Sequence, residues 1–152
     1  MKNLILVLFL IFLNSCGYTS VYKNQKSQDF QINIIEMTGD NTINNLIKNE
    51  LKIYSNKKSN IKYNISINSK YQKIIISKNS AGVATDYNLS VDTIISFDKE
   101  GKNNILNFNE NIIIKHNSNS FEQNNYEKSI KKNFASSIID KFIIKILNKS
   151  DY

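Results

Sequence analysis

Few side chains in this sequence have wide chemical scope: one cysteine, Cys16, one histidine, His116, and 13 carboxylates set against 20 basic residues, every one of them lysine. His116 follows a strand-like run among polar neighbours. No second His or Cys is available to complete a metal site or a Cys–His pair, so His116 reads as a surface residue. Asp86, Asp92 and Asp98 recur every six residues along one alternating segment, which spaces them roughly 20 Å apart at about 3.4 Å per strand residue. Carboxylates that share acid–base work sit within about 10 Å of each other, so these three read as solvating charges. No serine lies in a nucleophile elbow, and Gly82 and Gly101 are turn residues rather than parts of a phosphate-cradling loop. These residue types point away from an enzyme, and no catalytic group, cofactor or metal ion is expected.

Cys16 has a sharper context. Lys2 precedes an unbroken apolar run, Leu4 to Leu13, and Asn14-Ser15-Cys16 follows directly. A positive start, a short apolar stretch and a small-residue boundary form the pattern of a secretory signal peptide, here residues 1–15. As a helix the run would rise about 15 Å, half of the roughly 30 Å hydrocarbon core, so it is too short for a permanent span. Leu13-Asn14-Ser15-Cys16 resembles the bacterial lipobox, with Leu three residues before the Cys and a small residue just before it. Cys16 is then the lipid-attachment residue. As the lone cysteine it can form no intramolecular disulfide in an oxidising compartment. The lipoprotein resemblance implies a diacylglyceryl group plus an N-acyl chain, which exceeds the two-chain threshold for stable anchoring. Gly17, where an Asp would retain the protein in the inner membrane, implies the periplasmic face of the outer membrane.

The remaining length suits one domain. With 152 residues, 41% hydrophobic and 22% charged, no Pro and four Gly, the composition excludes collagen-like, Pro-rich and disulfide-framework classes. Residues 16–29 read as a lipidated N-terminus and polar tether, whose eleven residues from Thr19 to Asp29 could reach at most about 39 Å. Residues 30–149 read as the folded domain. Phe30, Ile32 and Ile34 alternate with polar residues, giving a first strand that ends near Glu36. Gly39-Asp40-Asn41 supplies a breaker and a cap, and Ile43, Leu46, Ile47, Leu51 and Tyr54 line one face of a helix over 41–54.

Three strand patterns follow. The first, around Tyr63, Ile65 and Ile67, extends to Ile76 past a bulge expected near Tyr71. The second has Tyr87, Leu89, Val91, Ile95 and Phe97 at alternate positions, and the third has Leu106, Phe108, Ile112 and Ile114. They should form an antiparallel meander. Tyr126, Ile130, Phe134, Ile138, Phe142 and Ile146 recur every four residues and predict a last helix over 121–148 capped by Ser120. The predicted fold is α+β: a four-stranded sheet with two helices on one face, in the order β-α-β-β-β-α.

The net charge of +7 falls to +6 once residues 1–15 leave with Lys2, because 19 lysines then face the same 13 acids. Nucleic acid is excluded as a partner, since export removes the chain from it and neither Arg nor Trp is present to read or stack on bases. Between Leu51 and Thr85 stand seven lysines and no acid. Either Lys62 and Lys70 face Asp98 and Asp92 across a strand pair, or the second strand and its turn form a cationic edge that meets phosphorylated lipid. The sequence assigns no ligand-binding lysine.

The lipobox, the opening Cys16-Gly17-Tyr18, the element order, the strand Thr85-Asp86-Tyr87-Asn88-Leu89-Ser90-Val91 and the C-terminal helix containing Phe134-Ala135-Ser136-Ser137-Ile138-Ile139 together resemble the LPS-assembly lipoprotein LptE family. Members typically place a Pro where Ser20 stands here. The resemblance implies a non-enzymatic subunit of the outer-membrane LPS translocon. It would plug and help assemble an LptD-like β-barrel, contact LPS in transit, and be held to the membrane through its N-terminal lipid. The alternative is another outer-membrane lipoprotein, such as an auxiliary subunit of an ABC-type lipid transporter.

Overall fold

The computed structural model describes residues 30–99 and 101–148. Strand β1 (Phe30–Gly39) leads into helix α1 (Asn41–Ser55). Strands β2 (Ile61–Lys78), β3 (Ala84–Lys99) and β4 (Lys102–Lys115) follow, and then helix α2 (Ser120–Asn148). The sheet order is β1-β2-β3-β4. β1 runs parallel to β2, a pairing that needs a crossover, and α1 supplies it. β2, β3 and β4 form the expected antiparallel meander. The fold is α+β in the predicted order.

Period-two alternation puts the buried apolar residues of all four strands on one face, and both helices cover that face. Ile32, Ile65, Leu89, Val91 and Ile95 have no exposed surface, nor do Ile43, Ile47 and Leu51 of α1 or Ile138 and Phe142 of α2. An aromatic chain locks the layers. Phe30 stacks on Tyr54 at 5.2 Å and meets Tyr63 edge-on at 5.8 Å; Tyr63 meets Phe97 at 6.0 Å; and Phe142 meets Phe97 and Phe108 edge-on at 5.9 and 6.5 Å. Each such pair adds about 0.5–1.5 kcal/mol beyond its area burial. The opposite face is mostly polar but also carries the exposed Ile74, Ile94, Ile105 and Ile113. Across it Asn33 donates to Asn64 (3.2 Å), Asn109 to Asp92 (2.6 Å) and Asn111 to Asn109 (3.3 Å).

The β1–α1 junction fixes where β1 stops. Gly39 has φ +92°, and a Cβ there would lie 1.8 Å from the Ser69 carbonyl oxygen, so only glycine fits. Asp40 caps α1 by accepting from Ile43 N at 2.9 Å, as its position predicted. Its own N–H donates to the Ser69 carbonyl at 2.8 Å. Ser69 Oγ donates to Asn44 Oδ1 (2.8 Å) and Asn44 Nδ2 to the Thr38 carbonyl (2.9 Å), so the buried polar pair is satisfied.

Local details differ from the sequence reading. β2 is regular at Tyr71, opposite Val91; its irregularities lie between Ile75 and Lys78, next to the turn, and a further one in β1 lies between Ile34 and Glu36. Asn119, rather than Ser120, caps α2, its Oδ1 accepting from Phe121 N (3.1 Å) and Glu122 N (3.3 Å). The carboxamide reaches those N–H groups from one residue earlier. The apolar buried stripe of α2 begins at Ile130; in the first turns Gln123 is the buried residue, and Phe121 and Tyr126 are exposed.

Candidate functional site

Cys16, with the signal segment and tether read over residues 1–29, lies outside the described residues. No helix among the described residues is long and apolar enough to cross a membrane. Nor do the described residues contain a group of three or more His, Cys, Asp or Glu able to hold a metal ion.

The seven lysines between Leu51 and Thr85 do not converge. Lys52 is on α1, Lys57 and Lys58 lie in the following connection, and Lys62, Lys70, Lys73 and Lys78 are strung along β2, an 18-residue strand of roughly 60 Å at about 3.3 Å per residue. The cross-strand reading is half right in register. Lys70 lies directly opposite Asp92, but Asp98 lies opposite Asn64, two positions from Lys62. Asp92 accepts from Asn109, and Asp98 from Gly101 N at 3.0 Å. Two ion pairs among the described residues run instead from strand to helix: Lys73 with Glu127 and Lys141 with Glu110. Those helical partners are 54 and 31 residues away in sequence, beyond the reach of any local pattern.

The functional side chains that do gather lie at the β2–β3 turn, the end of β4 and the start of α2. Ser77 and Thr85 hydroxyls both donate to Asp86 Oδ2. The Ser77 bond first, then Thr85 and the Lys115 charge, hold the Asp86 carboxyl below its ordinary value. His116 is exposed, as expected; its N–H donates to the Thr85 carbonyl at 2.7 Å and its Nδ1 stands 3.5 Å from the Tyr87 hydroxyl. Lys73 lies over the Tyr87 ring at 4.3 Å and Lys131 over Tyr71 at 3.9 Å, both in cation–π range. Burial, and then the Glu127 and Asp40 charges, push the Tyr71 hydroxyl up to about 12. An open cleft of about 710 Å³ is lined by Ile113, Lys115, His116, Glu122, Gln123 and Tyr126. Gln123 is committed to structure, accepting from Asn117 N (2.7 Å) and donating to Glu127 (3.0 Å).

Exposed apolar residues also gather around these polar groups. Ile74, Ile75 and Ile76 are each about half exposed, at 49, 48 and 48%, and Val83, Ile113 and Phe121 are exposed with them. Isolated apolar residues on a surface need no explanation, but a cluster at one end of a sheet marks a docking surface. Exposed isoleucines beside Lys73, Lys78 and Lys115 offer apolar contact and positive charge. The sequence reading named the lysines and missed the isoleucines. The available signal was the run Ile74-Ile75-Ile76, which breaks the alternation of the strand it ends.

No family model and no curated protein matches the sequence. The fold matches solved structures. Rare lipoprotein B from Shewanella oneidensis is similar with a TM-score of 0.56 and 12% identity, over 78% of this chain and 99% of that one. A minor lipoprotein from Acinetobacter baumannii is similar with a TM-score of 0.53 and 9% identity, over 76% of this chain and 92% of that one. A Caulobacter crescentus protein is similar with a TM-score of 0.52 and 12% identity, over 79% and 90%. At these identities the likeness is one of fold.

Proposed function

We propose that this protein is a non-enzymatic, lipid-anchored lipoprotein of the outer membrane, on its periplasmic face, that works as an LptE-like subunit of the LPS translocon. The observation that carries the reading is a coincidence. A chain that opens with Leu13-Asn14-Ser15-Cys16 also has a fold that spans 99% and 92% of two bacterial lipoproteins. In this reading residues 1–15 are removed, Cys16 carries the lipid, residues 16–29 are the tether, and residues 30–149 form the domain that sits inside an LptD-like β-barrel and contacts LPS. The mostly polar sheet face supports such a role. Asn33–Asn64 and Asn109–Asp92 bonds link neighbouring strands across it, a surface of the kind that can face the polar interior of a large barrel.

Purification from membranes in mild detergent tests this. The expected result is a large β-barrel recovered in about equal amount, and a clean monomer would overturn the reading. Depletion separates it from the alternative of an auxiliary subunit of an ABC-type lipid transporter. Loss of an LptE-like subunit blocks surface LPS, whereas loss of the auxiliary subunit leaves surface LPS intact. Cys16→Ala should leave the precursor unacylated, and normal acylation of that variant would remove Cys16 from its assigned role.

A further inference from the structure

The sheet is unevenly filled. β1 pairs with β2 only as far as Gly39 opposite Ser69, while β2 continues to Lys78. The next nine residues of β2, Lys70 to Lys78, therefore have β3 on one side and, among the described residues, no strand on the other. The direction of their backbone groups follows from one bond. The Ser69 carbonyl accepts from Asp40 N and so points towards the β1 side. Successive residues of a strand direct their N–H and C=O groups to alternate sides, so Tyr71, Lys73 and Ile75 present theirs to the vacant lane while Lys70, Gln72 and Ile74 bond β3. Exposed edges of this kind are templates for another strand.

We infer that the vacant lane beside Lys70–Lys78 is a strand-docking site for an extended segment of another polypeptide in which apolar residues alternate with Asp or Glu. Main-chain bonds to Tyr71, Lys73 and Ile75 would give affinity, and side-chain contacts specificity. Ile75 and the Tyr71 ring supply apolar contact on the helix side, and Ile74 and Ile76 on the other. Charge selects the occupant. Lys70, Lys78 and Lys131 border the lane, and Lys73 is already paired with Glu127. The carboxylates facing it are already engaged: Glu127 with Lys73 and Gln123, and Asp40 as the α1 cap. Asp92 and Asp86 belong to β3, on the far side of β2, and accept from Asn109 and from Ser77 and Thr85. A second copy paired antiparallel over the whole of Lys70–Lys78 would set Lys70 against Lys78 at both ends, and like charges directly opposite oppose that register. An acidic segment meets no such penalty.

The test uses the full chain in mild detergent and two labelled peptides, an alternating Val, Thr and Glu sequence and the same sequence with Lys for Glu. The acidic peptide should bind in fluorescence anisotropy and slow amide hydrogen exchange at Tyr71, Lys73 and Ile75, and the basic one should not. Ile75→Pro removes a donor that β3 does not use and should weaken the acidic peptide about tenfold or more, the size of one lost hydrogen bond. N-methylation of alternate residues of the peptide should do the same with the protein unaltered. Equal binding of both peptides, or protection along the outer edge of β4 instead, would overturn the proposal. So would amides of Tyr71, Lys73 and Ile75 already protected in the free chain, because its own N-terminal segment or a second copy would then fill the lane.

Discussion

The two ends of the sheet differ in how their side chains are used. At the end where β1 begins, Phe30, Tyr54, Tyr63, Phe97 and Phe142 form a continuous aromatic chain between sheet and both helices, and all but Tyr54 are buried. At the turn end the isoleucines of β2 are half exposed, and the contacts are cation–π pairs, one strand-to-helix ion pair and hydroxyl–carboxylate bonds. Dispersion and apolar burial hold the aromatic chain of the first end. The second end has buried residues of its own, Leu89, Val91 and Ile114, but surrounds them with exposed isoleucines and polar contacts that a partner can reach.

Substitutions of graded severity can break that contrast. Phe142→Ala should have the largest effect, a loss of about 3–5 kcal/mol in denaturant unfolding, because the removed ring leaves a cavity between Phe97 and Phe108. Gly39→Ala should follow. The strained conformation alone costs about 1–3 kcal/mol, and the clash with the Ser69 carbonyl adds to it. Asp40→Ala should cost about 1 kcal/mol through the lost cap. At the turn end, Lys73→Ala should change stability by less than about 1 kcal/mol, since its ion pair with Glu127 is a third exposed on the lysine side. A loss there as large as that of Phe142→Ala would show that the Lys73–Glu127 pair carries more than its exposure implies.

The smallest effect sharpens the contrast by titration. The Asp86 carboxyl is held down mainly by Ser77, so the ionised form is favoured by folding. Its contribution is present above the unfolded-state value and is lost as pH falls through the lowered folded value. Ser77→Ala should move the Asp86 titration upward in NMR with little change in unfolding at neutral pH. An unmoved titration would show that Thr85 and Lys115 suffice.

Much of this was legible in the sequence because it depends on near neighbours. Alternation along Tyr87 to Phe97, the fourfold spacing from Ile130 to Ile146 and the Gly39-Asp40 pair specify strand, helix and cap through contacts within a few residues. From these periods the α+β order and the buried face followed, since an apolar stripe must face an apolar sheet. The role read for Cys16 likewise rests on the adjoining run of residues. Tertiary structure decided what lies beside what. The pairing of Lys73 with Glu127, the placing of Asp98 opposite Asn64, and the stop of β1 at Gly39, opposite Ser69, with β2 running nine residues further depend on register between distant segments. A two-residue slip leaves the alternation on each strand unchanged while replacing every lateral neighbour. Sequence periodicity therefore carries no information about the vacant lane.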